Sequence, residues 1–417
     1  MVSKDMTRRD FLVRAAKLGA AGGGLLALSS AGLPAWLGRI GGGSPEALAA
    51  GTRAIAEAAP AGRYWYSLAT AAGDCSLCHG EGSVDVGEPF DHAPGIVRCV
   101  LCSHECAVPV GKRGRCGVRE NVDGELRSLV YGRPAAVHID PIEKKPFYHF
   151  LPGREAYSIG TAGCPLRCQF CQNWELSQAS PEDLRGEYVG PERIVRSAER
   201  RDVPIVAFTY NEPTVFLEYF SDIARMGKER GLRHVLVSCG FMNEAPLEEM
   251  CDVLDAIKID LKGYSEKFYR DVCHADLKPV LRNIRRVAER GVHLEIVNLV
   301  VPTLNDSEKD LRGLARWVAA EVGPDVPVHF TRFHPDYRLL NLPPTPIATL
   351  ERAREIAFAE GLHYPYVGNV PGHPGNHTYC PGCGEIVIRR NGFQVEKVRL
   401  EKGRCLSCET AIAGVWS

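Results

Sequence analysis

From Tyr157 onward the sequence alternates strand-like and helix-like segments, and this alternation restricts the fold more than any other feature. Strand-like runs such as PIVAFTY (204–210), AIKIDLK (256–262) and HLEIVNLVV (293–301) are each followed by a segment of helical length. Repeated strand–helix units imply parallel strands with right-handed crossovers. Roughly six units predict an α/β fold with a partial (β/α)6 barrel, whose chemistry sits at the carboxyl ends of the strands. We place this barrel at residues 151–370.

The predicted helices carry ordinary boundary signals. A helix over 191–201 begins at Pro191, which suits a first helical turn, and a helix over 213–230 ends before Gly231. A third helix is expected over 276–290, again followed by a glycine.

The chain has 16 cysteines in 417 residues, and most of them fall in close groups. Two neighbouring thiolates can chelate one metal ion, and a chain of this length has a core that does not need disulfides. Metal binding is therefore favoured over a disulfide framework. The groups are Cys75/Cys78, Cys99/Cys102/Cys106/Cys116, Cys164/Cys168/Cys171 and Cys380/Cys383/Cys405/Cys408, while Cys239, Cys251 and Cys273 stand alone.

The central group lies in GCPLRCQFCQNW (163–174), directly after the strand-like run YSIGTAG. Three thiolates can hold three irons of a [4Fe–4S] cube and leave the fourth iron open for a ligand. A zinc site with three cysteines is the alternative, but it needs a fourth ligand close by and none sits beside the motif. We predict that Cys164, Cys168 and Cys171 bind a catalytic cluster at the carboxyl edge of the sheet.

This C-x-x-x-C-x-x-C pattern, with Phe170 before the last cysteine, resembles the radical S-adenosylmethionine (SAM) superfamily. The resemblance implies that SAM binds the open iron through its amino and carboxylate groups. It also implies that one electron from the reduced cluster cleaves SAM to methionine and a 5′-deoxyadenosyl radical, which takes a hydrogen atom from the substrate. The cofactor supplies this chemistry and the protein supplies binding and orientation.

Further site residues follow from the same resemblance. Glu212, in TYNEPT (209–214), would accept a hydrogen bond from the SAM amino group, with Asn211 beside it. Asp260 and Lys262, in KIDLKG (258–263), would face the SAM carboxylate region. The cofactor-binding residues predicted in this way are Phe170, Asn211, Glu212, Asp260, Lys262 and Asn298.

Each of these residues also has an ordinary structural interpretation. Asp260 and Lys262 could form an ion pair at a strand end, and Glu212 could be a carboxylate at a helix N-terminus. Their positions at successive strand ends, together with the three cysteines, favour a functional site.

KIDLKG resembles the corresponding strand of pyruvate formate-lyase activating enzymes, although those enzymes carry an aspartate where this chain reads LVSCGF. The set TYNEPT, KIDLKG, VVPTLNDS, HFTRFHPDY and YVGNVPG is most similar to AmmeMemoRadiSam-system radical SAM enzymes, over roughly residues 95–417. This resemblance implies an enzyme that needs a one-electron reductant and acts on an unassigned substrate, with a partner protein among the candidates.

Two alternatives remain open. One is an activase that forms a glycyl radical on a partner enzyme, and the other is an exported iron–sulfur electron-transfer protein without SAM chemistry. The formal net charge of -1 gives no global field that would attract nucleic acid, so no nucleic-acid partner is predicted.

Two cysteine-rich modules flank the predicted barrel. In residues 371–417, Cys380, Cys383, Cys405 and Cys408 form two C-x-x-C pairs, which predict a zinc-ribbon-like module with a closed structural zinc site; iron is the second choice. In residues 61–150, the cysteines at 99, 102, 106 and 116 predict one metal ion or an auxiliary iron–sulfur cluster, and spacing does not separate these.

The segment CSLCHGEG (75–82) contains the c-type haem pattern C-x-x-C-H. It also matches a chaperone-type zinc repeat. Covalent haem is the less favoured interpretation, and participation of the two thiols in another metal site or a redox pair is preferred.

The N-terminal region, residues 1–60, has the features of an export signal and linker. Arg8-Arg9 is followed by Phe11-Leu12 and a Gly/Ala-rich run, which resembles a twin-arginine signal. An N-terminal anchor, a general secretion signal and action in the cytoplasm are the alternatives.

The twin-arginine interpretation makes a direct prediction. A reporter fused to residues 1–60 is expected to be exported, and replacing both Arg8 and Arg9 with lysine is expected to block export, because the receptor reads the arginine pair. Fractionation of the native host checks the result for the whole protein. Protein found only in the cytoplasm, with Met1 intact, would contradict export.

Overall fold

An eight-stranded sheet forms the centre of the computed structural model, which describes residues 54–68, 95–184 and 187–417. In chain order the strands of the described residues are β1 (Trp65–Ser67), β2 (Val97–Cys99), β3 (Ala107–Val108), β4 (Arg119–Val122), β5 (Glu125–Ser128), β6 (Ala136–Pro141), β7 (Glu155–Gly160), β8 (Ile205–Phe208), β9 (Arg233–Ser238), β10 (Ala256–Asp260), β11 (His293–Val300), β12 (Val328–Arg332), β13 (Pro365–Gly368), β14 (Thr378–Tyr379), β15 (Ile386–Asn391), β16 (Gln394–Val398), β17 (Leu400–Glu401) and β18 (Arg404–Cys405).

The α-helices of the same residues follow the strand ends. They are α1 (Trp174–Ser177), α2 (Pro191–Glu199), α3 (Leu217–Lys228), α4 (Glu244–Val253), α5 (Glu266–Phe268), α6 (Leu277–Glu289), α7 (Glu308–Glu321) and α8 (Ile347–Ala359). Short 3-10 helices cover Ile142–Lys144, Pro213–Phe216 and Pro374–Asn376, and a π-helical turn covers Tyr269–Cys273. Within the described residues, no helix combines the length and apolar character needed to cross a bilayer.

The large sheet has the order β13-β12-β11-β10-β9-β8-β7-β6. Strands β7 to β13 are parallel, and β6 pairs antiparallel with β7. The predicted α/β class with consecutive parallel strands is therefore confirmed. The six expected strand–helix units are followed by one more parallel strand, because Pro365–Gly368 forms β13.

Strand β6 comes from a segment that the sequence placed in the cysteine-rich module. Residues 136–141 lie before the predicted boundary at 151, so the main sheet begins earlier than predicted. Val137 and Ile139 alternate with polar residues, but both are more than a third exposed, so this short alternation does not mark a buried face.

Both faces of the sheet are buried, as expected for a parallel sheet. Val206 and Phe208 lie on one face and join the large core that includes the helices. Ile205 and Ala207 lie on the opposite face, in a smaller cluster with Phe147. Lys258 and Asp260 alternate with Ile257 and Ile259 on β10, which puts the two charged side chains on the face that the helices do not cover.

The segment before β6 folds against the helices of the main sheet. The guanidinium of Arg119, on β4, donates to both carboxylate oxygens of Glu218, on α3, at 2.8 and 3.0 Å. Both side chains are buried, with 1% and 7% exposed. The backbone N–H of Arg63 donates to the same carboxylate at 2.6 Å. A buried bidentate pair of this kind fixes the relative position of the two segments.

The C-terminal strands β14 to β18 pack near the amino-terminal ends of the central strands. The buried Arg390 donates to the carbonyl of Tyr148 at 2.6 Å. Glu295, at the start of β11, accepts hydrogen bonds from the backbone N–H groups of Tyr148 and His149 and is bonded to the ring of His329. This polar network lies at the edge of the sheet opposite the cysteine loop.

We expect loss of the charge at Glu218 to destabilise the fold. Glu218→Gln leaves Arg119 buried without its counter-charge, so the free energy of unfolding should fall by about 3–5 kcal/mol. Glu192→Gln is the matched control, because Glu192 pairs with Arg196 at an exposed i,i+4 position and should cost no more than about 0.5 kcal/mol. Urea unfolding of the metal-loaded protein measures both. Equal effects of the two changes would contradict a structural role of the buried pair.

Candidate active site

Cys164, Cys168 and Cys171 lie on one loop between β7 and α1, at the carboxyl edge of the sheet. Cys168 is buried and the other two are partly buried. A second segment of the chain holds this loop in place. The N–H groups of Arg167 and Gln169 donate to the carbonyls of Cys273 and Val272 at 3.1 and 3.0 Å.

Gly163 starts this loop with a φ of +89°. A Cβ at this position would lie 2.7 Å from the carbonyl oxygen of Cys116, so both the backbone angle and the close contact require glycine. Phe170 is buried, and its ring stacks with Phe268 at a centroid distance of 6.1 Å. The observed contact of Phe170 is thus with Phe268, which directly precedes the turn Tyr269–Cys273 that holds the cysteine loop.

The side-chain amide of Asn211 fixes the start of the cysteine loop. Its Oδ1 accepts from the N–H of Thr161 at 3.1 Å. Its Nδ2 donates to the carbonyls of Ala162 and Gly163 at 3.1 and 2.8 Å. Asn211 follows Tyr210, which has a φ of +73°, a conformation that is strained for a bulky residue. The observed contacts make Asn211 a positioning residue, and its contact with SAM stays a prediction.

Glu212 connects the end of β8 to the end of β9. One carboxylate oxygen accepts from the hydroxyl of Ser238 at 2.8 Å, and the other accepts from the N–H of Cys239 at 2.7 Å. The first oxygen also accepts from the N–H and hydroxyl of Thr214, so Glu212 caps the 3-10 helix Pro213–Phe216. Glu212 is therefore a carboxylate at a helix N-terminus, as its structural interpretation expected. Its contact with the SAM amino group stays a prediction.

Asp260 lies between two lysines. Lys262 approaches one carboxylate oxygen at 2.6 Å, and Lys258 contacts the other. Burial alone would raise the pKa of Asp260, but the charges of Lys258 and Lys262 outweigh it and hold the pKa at about 2. The three groups together carry one net positive charge. The sequence predicted Asp260 and Lys262 and missed Lys258, which is almost fully buried.

The cysteines and the charged residues converge on one site. Burial raises the pKa of Cys164, and the neighbouring Glu212 carboxylate raises it further. A hydrogen bond from Cys273 lowers the pKa of Cys168 despite burial, with help from the charge of Lys262. The structure thus brings the cysteine loop, Glu212 and Lys262 together.

Two cysteines that the sequence left single belong to this neighbourhood. Cys273 lies beside Cys168, and Cys239 lies beside Glu212 and Cys164. The position of Cys239 directly after β9, at the carboxyl edge, was a usable signal. Cys273 ends a π-helical turn that no local pattern indicates.

Asn298 is placed differently. Its side chain shares a face of β11 with Ile296 and Val300, which belong to the core against the helices. It is buried and donates to the carbonyl of Leu261 at 2.9 Å. The contact of Asn298 with the cofactor stays a prediction.

The cysteines outside the loop fall into two places. Cys380, Cys383, Cys405 and Cys408 bring their sulfurs within 4.8 Å of one another, with 3.5 Å between the sulfurs of Cys380 and Cys408. Tetrahedral zinc with bonds of about 2.3 Å requires sulfur separations of about 3.8 Å, so this set suits one metal ion. The second set lines one cavity of about 20 Å³ and consists of Cys99, Cys102, Cys106 and Cys116. Cys75, Cys78 and the Arg8-Arg9 pair lie outside the described residues.

Comparison with known proteins identifies the family. The model of the radical SAM superfamily matches residues 158–317, which include the cysteine loop, Glu212, Asp260 and Lys262. An uncharacterized protein of Methanocaldococcus jannaschii is 43% identical over 314 residues, covering 75% of this chain and 93% of that protein. The chain belongs to the radical SAM superfamily.

Other radical SAM proteins are more distant. The pyruvate formate-lyase 1-activating enzyme of Escherichia coli is 22% identical over 213 residues, covering 46% of this chain and 85% of that enzyme. The benzylsuccinate synthase activating enzyme of Thauera aromatica is 24% identical, covering 62% and 70%. Among solved structures, a radical SAM methyltransferase from Sphaerobacter thermophilus aligns with a TM-score of 0.41 at 15% identity, covering 52% of this chain and 67% of that chain.

Membership in this enzyme superfamily implies a [4Fe–4S] cluster and SAM, and the residues of the site fit both groups. Three thiols on one loop can occupy three corners of a cube. The charge of Lys262 offsets part of the negative charge that three thiolates bring into a buried site.

We expect Cys168→Ala to abolish the iron content of this loop, because two remaining thiolates do not retain the cube. Cys251→Ala is the matched control, since Cys251 is a buried cysteine of α4 packed in the main core. Iron and sulfide analysis after anaerobic reconstitution, with the ultraviolet–visible spectrum before and after SAM addition, measures the effect. A spectrum that still responds to SAM in the Cys168 variant would exclude the assignment.

Proposed function

We propose that this protein cleaves SAM reductively at a [4Fe–4S] cluster held by Cys164, Cys168 and Cys171, and that the resulting radical removes a hydrogen atom from a substrate. The observation that supports this most is that the segments of Glu212 and Lys262 are tied to the cysteine loop. Asn211, beside Glu212, binds the backbone of 161–163, and the N–H of Lys262 donates to Tyr269, in the turn whose carbonyls hold the loop. When bound, the cluster and SAM supply the radical chemistry, and the electron comes from a one-electron reductant.

The protein's own side chains would bind and orient SAM. Glu212 is held by Ser238 and Cys239 with its charge toward the cysteine loop, where it would attract the SAM amino group. Lys262 is held by Asp260 and offers a cation for the SAM carboxylate. Because Glu212 and Lys262 are both held in place by protein partners before the ligand arrives, little reorganisation is required on binding.

Two candidates are proposed for the reaction and its substrate. The motifs TYNEPT, KIDLKG and VVPTLNDS support the AmmeMemoRadiSam-system branch, with a partner protein as the candidate substrate. Relatives named as activating enzymes favour a second candidate, an activase that forms a glycyl radical on a partner enzyme. Electron paramagnetic resonance of a candidate partner after turnover separates the two, because only an activase leaves a glycyl radical there.

Two further assignments are proposed. The compact set Cys380, Cys383, Cys405 and Cys408 holds a structural zinc, since four thiolates leave no open position. Twin-arginine export through residues 1–60 would carry a folded, metal-loaded protein, and the one-electron reductant must then meet the enzyme before export or outside the cytoplasm.

We expect the reduced protein to produce 5′-deoxyadenosine from SAM, and Glu212→Gln to weaken SAM binding. Loss of a charge-assisted hydrogen bond, about 1.5–3 kcal/mol, corresponds to roughly 10- to 150-fold in Kd. Iron content should be unchanged. Titration of SAM against the cluster spectrum gives the Kd, and chromatography of dithionite-reduced reactions gives the product.

Ser238→Ala is the matched control, because it removes one donor to Glu212 and keeps the carboxylate. If Glu212 contacts SAM, the Ser238 variant should change Kd by only a few-fold. An unchanged Kd in Glu212→Gln would mean that Glu212 only caps a helix. A cluster without 5′-deoxyadenosine formation would favour an electron-transfer protein.

A further inference from the structure

The chain contains two sets of four cysteines, and their sulfur geometries differ. Among the residues that the structure describes, the set of three or more metal-type donors whose atoms all lie within 4.8 Å of one another is the C-terminal one. The N-terminal quartet, which consists of Cys99, Cys102, Cys106 and Cys116, is not such a set. A single tetrahedral ion needs sulfurs about 3.8 Å apart. A cluster binds each thiolate on a different iron and therefore needs a wider cage.

All four cysteines of the N-terminal quartet line one cavity. Its volume is about 20 Å³, and Leu101 and Val215 contribute apolar walls. The backbone N–H of Arg115 donates to the sulfur of Cys106 at 3.4 Å. Donation from backbone N–H groups to cysteine sulfur stabilises negative charge on iron–sulfur ligands and tunes their potential.

We propose that the N-terminal quartet binds a second [4Fe–4S] cluster, closed by four thiolates. Because each iron has a protein ligand, this cluster does not bind SAM. It is therefore distinct from the cluster on the 164–171 loop and from the C-terminal zinc.

The proposed second cluster is placed directly beside the catalytic loop. The carbonyl of Cys116 lies 2.7 Å from the Cβ position of Gly163, the residue before Cys164. The guanidinium of Arg167 donates to the carbonyls of both Arg115 and Cys164, at 2.5 and 2.8 Å. The loops of the two sites therefore pack together at Gly163 and are bridged by the side chain of Arg167.

This contact defines a role for the second cluster as an electron relay. An external one-electron reductant reduces the closed cluster, which is then reoxidised as the same electron passes to the catalytic cluster. No bond is formed or broken, and one electron is transferred in each step. The relay rests on the proposed SAM chemistry, whereas the presence of the second cluster does not.

The test uses the full chain with Cys164, Cys168 and Cys171 all replaced by alanine. After anaerobic reconstitution this variant should keep about four irons and four sulfides per chain, against about eight of each in the wild type. Its spectrum should not respond to SAM, and both proteins should hold about one zinc, at the C-terminal set. A triple variant that contains no iron and a second zinc would overturn the proposal.

The converse variant keeps the catalytic loop. Replacing Cys102 and Cys106 with serine should remove about four irons and leave a cluster that responds to SAM. If that variant does not fold, the iron content of the triple variant still decides the proposal. If the wild type binds about eight irons but makes no 5′-deoxyadenosine, the proposed function fails and the second cluster stands.

A separate measurement tests whether the two proposed clusters lie next to each other. In the fully reduced wild type, two paramagnetic clusters in neighbouring loops should broaden each other's electron paramagnetic resonance signals, and each single-cluster variant should give a sharper spectrum. A wild-type spectrum equal to the sum of the two variant spectra would contradict the relay.

Discussion

Two neighbouring side chains at the end of β8 hold the candidate site together. The amide of Asn211 binds the backbone of 161–163, where the cysteine loop begins, and the carboxylate of Glu212 binds Ser238 and Cys239 at the end of β9. Both side chains are buried, so any unmade hydrogen bond would cost about 1–3 kcal/mol. Three adjacent strand ends are thereby fixed to one another. Tyr210 enables this arrangement, since its positive φ turns the chain and its hydroxyl is held by Asp140 at 2.7 Å.

The parts of the fold that the sequence predicts are those with a local signal. The helix at Pro191–Glu199 and the strands at 205–208 and 256–260 follow from hydrophobic period, a first-turn proline and terminal glycines. The cysteine loop follows from its spacing after β7. By contrast, β6 has exposed Val137 and Ile139 and pairs with a strand that comes later in the chain, so its membership in the sheet depends on a contact that periodicity does not encode.

The site residues that the sequence missed are brought in by long-range contacts. Lys258 lies two residues before Asp260, and its burial on the site face depends on the register of β10 with β9 and β11. Cys273 reaches Cys168 because the backbone of Arg167 and Gln169 pairs with 272–273. The sequence spacing of the N-terminal cysteines likewise does not distinguish a single metal ion from a cluster. That distinction depends on how far apart the four sulfurs lie in three dimensions.

A cation lies beside the cysteine loop, and another lies beside the N-terminal quartet. Lys262 stands beside Cys168, and Arg119 lines the cavity of the N-terminal quartet while it is bound to Glu218. Thiolates are expensive to bury, and an adjacent cation offsets part of that cost. In each place the cation is itself held by a carboxylate, Asp260 or Glu218, so its position does not depend on the metal.

The two sites also share a wall. The 3-10 helix that Glu212 caps contains Thr214 and Val215, and both line the cavity of the N-terminal quartet. A change in what the quartet holds would therefore press on the segment that positions Glu212. A densely packed interior transmits such a displacement rather than absorbing it. The cysteine-rich segment therefore packs against the segment that carries Glu212, and a metal centre bound by the quartet would be coupled to the position of that carboxylate through one turn of helix.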